Sequence, residues 1–592
     1  MRLEEYWGIG PKTRDLLADE LGVEAAIEAI ESADVRTLTG AGLPRGRATR
    51  ILRHAHGGEA MDLLATGDAR QVYKQLLELL GEFAVTADAA DRIRILTPLA
   101  SREAMVGRLN DVREARDSWA NLSESDQSAV LDAFAEYDDA DGGDRAAVEA
   151  ALALREIGLE GDVFSTLEEF DPDDLADALG ALSGLERGGD GVGPGADDRL
   201  DDLREQLGAV EDAAATPGDL VEAVQQGARG TDDLREALTG QVTRDTGVDV
   251  SQVREAMPAE ATDARDFVAE TMRTLATDLR NQVENREETV AANLSEILER
   301  TREDIDRAVE AVEEIAVSIS LARFALEFDL VAPEFVESDV CGVLEARNLF
   351  LVDAGESVQP ITYAVGDHEL SVSSPNAPPT GDRVAVLTGA NSGGKTTLLE
   401  TLCQVQLLAQ MGLPVPARQA RVGIVDTIVF HRRHASFNAG VLESTLRSVV
   451  PPVSAGGKTL MLVDEFEAIT EPGSAADLLH GLVQLTVDRE ALGVFVTHLA
   501  DDLEPLPEPA RVDGIFAEGL TDDLELEVDY QPRFGEVGRS TPEFIVSRLV
   551  ADADDREEEA GFRTLARSVD TDVVQRTLSE AEWDADADAA DD

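Results

Sequence analysis

The spacing of apolar residues separates the chain into a long helical part and a mixed α/β part. From about residue 60 to residue 332 the pattern is almost wholly helical, and in its last part apolar residues recur mostly at steps of three and four, the period of an amphipathic helix. The stretch from Ala261 to Ala332 contains neither glycine nor proline and carries a narrow apolar stripe, as in a coiled coil. It predicts a long connecting helix, which would reach ~100 Å if it were one straight helix with a rise of 1.5 Å per residue. Such a helix suits a bundle as well as a lever, and the stripe alone does not distinguish the two.

Short apolar runs replace the helical spacing beyond residue 340. The runs Val384–Leu387, Val422–Phe430, Leu460–Val463 and Gly493–Val496 are separated by loops and helical segments. Buried parallel strands have such nearly continuous apolar sequences. The region 340–550 is therefore predicted to be an α/β domain.

A glycine-rich segment with the spacing G-x-x-x-x-G-K-T follows the first of these runs and precedes a helical run. In this context the backbone N–H groups of the loop cradle phosphates at the helix N-terminus. The lysine, Lys395, is placed to reach the β- and γ-phosphates, and the Thr396 hydroxyl to ligate Mg²⁺. We therefore predict a site for a nucleoside triphosphate. Its phosphate-binding residues are Gly389, Ala390, Asn391, Ser392, Gly393, Gly394, Lys395, Thr396 and Thr397.

Two later apolar runs end in polar residues that suit hydrolysis. Leu460–Val463 is followed by Asp464 and Glu465, and a further run ends at His498. Nucleotides bind at the carboxyl ends of parallel strands. We therefore expect Asp464 to hold Mg²⁺, directly or through water, and Glu465 to orient or deprotonate the attacking water. A neutral imidazole can bond a phosphate or that water, although carboxylates and histidines at strand ends are often structural.

A repeated glycine pattern occupies the first 58 residues. Gly-x-Gly, a basic residue and apolar positions at helical spacing occur near the start and again about 32 residues later. The pattern resembles the tandem helix-hairpin-helix module, in which hairpin amides and a helix N-terminus hold a DNA phosphate without reading sequence. A small helical packing or dimerisation domain is the alternative. The residues that the resemblance assigns to DNA binding are Gly8, Gly10, Lys12, Gly40, Gly42 and Arg45.

The chain is strongly acidic, and this bears on its expected partners and cellular location. The net charge is −69, and the chain has 47 arginines but only four lysines. This is typical of a high-salt proteome, because at about 1 M salt a Debye length of ~3 Å screens the repulsion between acidic surfaces. The overall charge therefore does not exclude DNA. Cys341 and Cys403 offer no disulfide framework or zinc spacing, and the sequence has no membrane-length apolar run and no secretion signal. We expect a cytoplasmic protein.

Several segments together resemble the MutS family of DNA-binding ATPases, most strongly over 345–550 and by helical plan from about residue 60. The resemblance implies an ATP- and Mg²⁺-dependent homodimer in which Ser444 reaches the nucleotide of the other subunit and His498 senses the γ-phosphate. The segments that carry it are Gly389–Thr397, Gln410–Ala417, Glu443–Leu446, Asp464–Glu465, Ile469–Ala476, Thr497–His498 and Arg533–Ser540.

Two departures from the family pattern narrow the expected function. The start of the chain has the paired hairpins instead of a Phe-x-Glu mismatch-reading wedge, and the end has an acidic tail instead of a separate nuclease module. This arrangement resembles the second, recombination-control branch of the family, in its archaeal form. Mismatch recognition and endonuclease activity are therefore not expected.

The predicted fold is multidomain, with an all-α amino-terminal module, an all-α lever and clamp region and a carboxyl-terminal α/β P-loop ATPase domain of ABC/MutS type. The predicted domains are 1–58 (tandem helix-hairpin-helix), 60–186 (helical core and lever), 187–260 (clamp and linker), 261–332 (long connecting helix), 340–550 (P-loop ATPase) and 551–592 (acidic tail with a helical stretch).

The leading hypothesis is a homodimeric ATPase clamp that binds non-specific or branched DNA in recombination control or repair. A chromosome-organising ATPase of the SMC type would share the loop and the coiled coil, but its Leu-Ser-Gly-Gly signature is absent. A transporter ATPase subunit would lack the DNA module and the long helix. A non-catalytic DNA-bridging scaffold is the last alternative, against which the intact Lys395, Thr396, Asp464 and Glu465 argue.

Overall fold

The fold is taken from a computed structural model of the chain. The structure describes residues 3–569 except 141, 160–161, 186–190, 217, 219, 223–230, 371, 373–376, 390–393, 434–438, 466–471, 521–525, 539–541, 552 and 554–555. Two compact units emerge. The sheet unit comprises Met1–Ser123 with Ile315–Asp592, and the helical unit comprises Glu124–Glu314. The predicted acidic tail beyond residue 569 lies outside the described residues.

The sheet unit begins with a small helical module. Its apolar cluster contains Leu17, Ile30, Leu38 and Ile51, all almost fully buried. The module's four helices are followed by three more whose apolar faces reach the main core, as the buried Tyr73 of the fifth shows. The helices are α1 (Pro11–Glu20), α2 (Val23–Glu31), α3 (Val35–Gly40), α4 (Arg45–Gly57), α5 (Gly67–Gly81), α6 (Ala87–Arg94) and α7 (Arg102–Asn121), with short 3-10 turns at Leu3–Glu5 and Gly58–Leu63.

The helical unit packs its own core around a long helix. Val268, Met272, Leu275 and Leu279 of the predicted apolar stripe are buried together against neighbouring helices of the unit. Its helices are α8 (Glu124–Asp139), α9 (Asp144–Glu156), α10 (Ser165–Glu168), α11 (Pro172–Gly184), α12 (Asp198–Ala215), α13 (Thr231–Thr246), α14 (Val250–Glu255), α15 (Ala264–Arg300) and the first part of α16 (Arg302–Glu327).

The stretch predicted as one helix is divided at Thr301. Thr301 has φ −96° and ψ 8°, outside the helical region, and it is 1% exposed. Its N–H and its hydroxyl both donate to the Ile297 carbonyl at 2.9 Å, which ends α15, and its own carbonyl accepts from the Ile305 N–H, which begins α16. A threonine makes this break, so the absence of glycine and proline did not reveal it. The 37 residues of α15 correspond to ~55 Å.

Two sheets form the rest of the sheet unit. A six-stranded sheet has the order β10–β9–β4–β8–β7–β6, parallel except for the antiparallel β9–β10 hairpin, and a four-stranded sheet has the order β1–β5–β2–β3. The strands are β1 (Glu334–Val336), β2 (Val340–Ala346), β3 (Ile361–Gly366), β4 (Val384–Gly389), β5 (Gln419–Gly423), β6 (Thr427–His431), β7 (Thr459–Asp464), β8 (Leu492–Val496), β9 (Ala510–Leu520) and β10 (Leu526–Phe534).

The helix that follows the phosphate loop lies in the centre of this unit. Thirteen of its sixteen residues are buried, so its apolar residues surround the axis instead of forming one stripe. Strands and helices alternate over 340–550, as the apolar runs predicted. The run Val422–Phe430 is not one strand, however, because β5 ends at Gly423 and β6 begins at Thr427, and the two strands lie in different sheets. The remaining helices are α17 (Leu349–Asp353), α18 (Lys395–Gln410, the helix after the loop), α19 (Ala439–Ser454), α20 (Pro472–Asp488), α21 (Pro542–Ala551) and α22 (Arg556–Val569), with a 3-10 turn at Ala500–Leu503.

Candidate nucleotide site

Three neighbouring parallel strands bring the predicted hydrolytic residues to one edge of the six-stranded sheet. Leu387 of β4 and Asp464 of β7 both lie opposite Val496 of β8. Each of the three strands therefore ends at the same edge, and the residues that follow them meet there. Strand register alone thus brings together residues that are far apart in the sequence.

The described ends of the phosphate loop have the backbone that the motif requires. Gly389 has φ +129°, and a Cβ there would lie 2.1 Å from the Ile515 carbonyl oxygen. Gly394 has φ +81° and precedes the first turn of α18. The buried Lys395 ammonium donates to the Gly389 carbonyl at 2.9 Å, across the mouth of the loop. The predicted phosphate contacts of Ala390, Asn391, Ser392 and Gly393 lie outside the described residues.

Thr396 and Asp464 form the expected pair for a magnesium ion. The Thr396 hydroxyl donates to Asp464 Oδ2 at 2.7 Å. Asp464 is 3% exposed, and within the described part of the chain its Oδ1 has no hydrogen-bond partner. Burial raises the pKa of this carboxyl, the nearby Glu465 charge raises it further, and the Thr396 hydroxyl opposes both. A hydroxyl and a buried carboxylate oxygen without a partner fit Mg²⁺, whose ligands are oxygens and which usually takes one or two carboxylates plus phosphates and water.

Glu465 has a strained backbone conformation, and two neighbouring side chains contact its carboxylate. Its φ is +40°, unusual for a residue with a side chain, and its N–H donates to the Val496 carbonyl at 3.0 Å. Its Oε1 lies 3.0 Å from His498 Nε2, and its Oε2 accepts from Arg433 Nη1 at 2.6 Å. The pKa of Glu465 is lowered, first by the hydrogen bond from His498, although partial burial opposes this. The lowered pKa favours the ionised carboxylate, which is the form that accepts hydrogen bonds.

Arg433 is a site residue that we did not predict from the sequence. It follows β6, the neighbour of β7, so the reasoning that identified Asp464 and Glu465 applies to it as well. The signal was available, because two arginines follow the apolar run that ends at Phe430.

A pocket beside the loop is a second feature that the motifs did not indicate. It has a volume of about 290 Å³ and is lined by Asn348, Gln359, Thr397 and Tyr530, among others. The Tyr530 ring lies so close to Gly394 that a Cβ at Gly394 would be 2.5 Å from the ring. Gln359 accepts from the Tyr530 N–H at 3.0 Å and thereby links the pocket wall to β10. In the sequence, the one sign of this pocket wall was an aromatic residue, Tyr530, shortly before the glycine-bearing hairpin.

Other residues of the predicted ATPase domain remain predictions. Ser444 is exposed on α19. The segment Ile469–Ala476, compared with a dimer loop, lies partly outside the described residues, as do Arg539 and Ser540 of the closing hairpin.

The predicted DNA-binding residues lie around the turns that precede α1 and α4, with Lys12 and Arg45 in the first turns of those helices. Gly8 and Gly42 have φ of +80° and +87°, Gly10 precedes the first turn of α1, and Gly40 ends α3. The cations of the two turns differ. Lys12 is exposed and forms no ion pair among the described residues, whereas Arg45 pairs with the largely buried Asp91.

The sequence of the chain resembles those of known proteins over the segment that contains this site. Residues 385–508 match the family model MutS domain V. Over 252 residues the chain is 44% identical to the DNA-binding protein MutS2 of Pyrococcus furiosus, covering 42% of each protein. It is 28% identical to the Endonuclease MutS2 of Thermomicrobium roseum over 205 residues, 33% of this chain and 25% of that protein.

A mismatch-repair relative gives a similar match. The chain is 33% identical to the DNA mismatch repair protein MutS of Anaeromyxobacter dehalogenans over 187 residues, 29% of this chain and 21% of that protein. The matches thus span less than half the length of these relatives. They support the MutS family and, within it, the MutS2 branch. Separately, none of the described helices combines the length and hydropathy needed to cross a membrane.

Proposed function

We propose that the protein is an ATP-hydrolysing DNA-binding protein of the MutS2 kind, which acts as a homodimeric clamp on non-specific or branched DNA in recombination control or repair. The observation that carries this proposal is the meeting of Lys395, the Thr396–Asp464 pair and the Glu465–His498 pair at one sheet edge. That edge lies in the segment that matches MutS domain V.

The hydrolytic roles follow from the contacts. Lys395, poised on the Gly389 carbonyl, binds the β- and γ-phosphates, and Thr396 with Asp464 holds the metal. Bound Mg²⁺ neutralises charge that develops on the phosphates. Glu465 orients the attacking water and accepts a proton from it. His498 and Arg433 hold the two carboxylate oxygens of Glu465 in place. His498, which contacts Glu465, would sense the γ-phosphate through a hydrogen bond to it or to the attacking water.

The pocket that Tyr530 borders is suited to the nucleoside. It adjoins Gly394 and Thr397, so a base and sugar bound there extend directly from phosphates held by the loop. The ring face of Tyr530 offers stacking, and the side chains of Asn348 and Gln359 offer amide hydrogen bonds. Adenosine fits this combination of an aromatic wall and polar groups.

Substitutions at the site test the catalytic assignment. Lys395→Ala removes the phosphate ligand, so ATP binding and turnover are lost. Glu465→Gln keeps the shape but cannot accept a proton, so ATP still binds while turnover falls about 10²–10⁴-fold. The matched control is Glu78→Gln on α5, an exposed carboxylate paired with Lys74, which leaves turnover unchanged. Normal ATP hydrolysis by Lys395→Ala would contradict the assignment.

Mixing two inactive variants tests the dimer. If Ser444 completes the nucleotide site of the other subunit, Ser444→Ala and Lys395→Ala are each inactive alone. Their equimolar mixture contains heterodimers with one intact site, and about a quarter of the wild-type rate returns when subunits exchange at random. A mixture that stays inactive, although light scattering shows dimers, would contradict the shared site.

The DNA target is tested by comparing three substrates. Binding to linear duplex, to a duplex with one mismatch and to a four-way junction is measured in high KCl with and without ATP. Equal affinity for matched and mismatched duplex is expected, because the proposed hairpin contacts hold DNA phosphates, which carry no sequence information. A strong mismatch preference would contradict that expectation, and no binding to any of the three would contradict DNA binding itself.

A further inference from the structure

An exposed tryptophan in the amino-terminal module has one ring face covered by a histidine. Trp7 is 57% exposed, the largest value among the exposed large apolar side chains of the described residues. Its ring stacks on His54 of α4 with 3.8 Å between centroids and 24° between planes. By contrast, Trp119 is only 6% exposed. His54 therefore supports Trp7 as a rigid platform that is open to solvent.

One arginine of α4, Arg47, contacts the backbone beside this platform, and Arg50 lies one turn further along the same helix. Arg47 Nη2 donates to the carbonyl of Gly8, the residue after Trp7, at 3.3 Å. Arg47, Arg50 and His54 are three and four residues apart, so they share one face of α4. Neither Arg47 nor Arg50 forms an ion pair among the described residues. We name Trp7, Arg47, Arg50 and His54 the Trp7 surface.

The charge of the module contrasts with that of the whole chain. Residues 1–58 contain eight basic and nine acidic residues, a net charge of −1, against −69 for the whole chain. From Val35 to Gly58 there are five arginines and no carboxylate. In so acidic a protein, this segment is suited to an anionic partner.

We propose that the Trp7 surface binds single-stranded DNA, with an unpaired base stacked on Trp7 and the adjacent phosphates held by Arg47 and Arg50. A base inside a duplex has both faces covered by its neighbours, so only an unpaired base can present a free face to the indole. Stacking on an aromatic side chain tolerates any base, which suits a protein that does not read sequence. This inference rests on the proposed DNA binding and adds a preference for unpaired strands.

Fluorescence anisotropy with the full-length protein tests the proposal. The probes are fluorescein-labelled oligo(dT) of 20 nucleotides and a 20-base-pair duplex. Trp7→Ala is expected to weaken oligo(dT) binding about five-fold or more, because the variant loses the stacking of a base on the indole. Duplex affinity stays within about two-fold, since only phosphate contacts remain relevant there. Trp7→Phe keeps a ring and retains most of the oligo(dT) affinity.

Two controls separate this surface from general effects. Val23→Ala removes another exposed apolar side chain of the module, 47% exposed, and leaves both affinities unchanged. Oligo(dT) is also expected to quench the intrinsic fluorescence of the wild type but not the remaining tryptophan fluorescence of Trp7→Phe. Thermal unfolding of each variant confirms that the module is folded.

The outcomes distinguish this inference from the proposed function. The inference is overturned if Trp7→Ala binds oligo(dT) as tightly as the wild type does, or if its affinities for oligo(dT) and for the duplex fall equally. DNA binding still stands in either case, provided that the wild type binds the duplex. If the wild type binds neither probe, DNA binding itself is overturned.

Discussion

At the residue scale, the metal pair allows a substitution that removes one oxygen and little else. Thr396→Val replaces the hydroxyl that reaches Asp464 Oδ2 by a methyl group of similar size. We expect ATP turnover to fall about 100-fold or more, because the metal loses a ligand oxygen at a site that needs several. A titration of turnover against Mg²⁺ measures the effect.

The serine variant is the matched control for this change. Thr396→Ser keeps the hydroxyl and is expected to retain turnover within several-fold at saturating Mg²⁺. Equal losses in the valine and serine variants would contradict the prediction, because the serine variant keeps the hydroxyl and its loss would have another cause.

A glycine comparison tests the close approach between the loop and Tyr530. Gly394→Ala requires a side chain at φ +81° and places a Cβ 2.5 Å from the Tyr530 ring, so the loop has to shift. We expect ATP affinity to fall at least ten-fold, measured by equilibrium binding of a fluorescent ATP analogue.

Gly481 provides the control glycine. It lies exposed within α20, and no heavy atom lies within 4 Å of its Cβ position. Gly481→Ala is expected to leave ATP affinity unchanged and to stabilise the helix by about 0.5–1 kcal/mol. Unchanged affinity in Gly394→Ala would mean that the ring moves freely away from the loop.

The site residues that could be predicted from the sequence are those that lie at the ends of strands. Lys395, Asp464 and Glu465 could be named because a glycine-rich loop and two apolar runs mark where parallel strands stop. Their pairings were not predictable in detail, because the contact of Glu465 with Arg433 depends on β6 lying beside β7. Tyr530 was also missed, because it comes to the pocket on the antiparallel strand that pairs with β9.

At the element scale, Asp197 links the start of α12 to α15. Its Oδ1 accepts from the Leu200 N–H at 2.8 Å, and both carboxylate oxygens accept from the Arg286 guanidinium. Asp197→Ala removes the helix cap and the ion pair together. We expect amide hydrogen exchange over residues 200–203 to accelerate about five-fold or more.

An asparagine variant and a change of pH separate the contribution of the helix cap from that of the ion pair. Asp197→Asn keeps an oxygen for the Leu200 N–H and is expected to show a smaller acceleration. The pKa of Asp197 is lowered, first by the hydrogen bond from Arg286. Its stabilisation is therefore complete above the ordinary aspartate value of about 4 and is lost as the pH falls below it. Exchange in Asp197→Ala that matches the wild type at pH 7 would contradict this role.

Helices were predictable in their existence but not in their limits. The apolar stripe identified α15 and α16, because their buried residues follow the helical period. It could not identify the break at Thr301, since helical spacing continues across it. The helix α18 shows the reverse case, because a helix buried on all sides has no stripe, and the helical run together with the preceding loop predicted it.

At the scale of the whole molecule, the negative charge determines how the protein responds to salt. A chain with a net charge of −69 repels itself, and that repulsion disfavours the compact state. Raising KCl from 0.1 M to 1 M shortens the Debye length from about 10 Å to about 3 Å. We therefore expect the thermal unfolding midpoint to rise by several degrees over this range, as 1 kcal/mol shifts a unit of 150–250 residues by ~2–4 °C.

The shape of the salt response identifies its cause. Screening changes most steeply at low salt, so most of the rise is expected below about 0.5 M KCl, followed by a plateau. Exclusion of a solute from the surface would instead stabilise in proportion to concentration, and sucrose at matching osmolality serves as the uncharged control. An equal rise in sucrose, or a midpoint that falls as KCl increases, would contradict a protein stabilised by screening. A steep early rise would also place the DNA-binding experiments above 0.5 M KCl, where screening has already stabilised the folded protein.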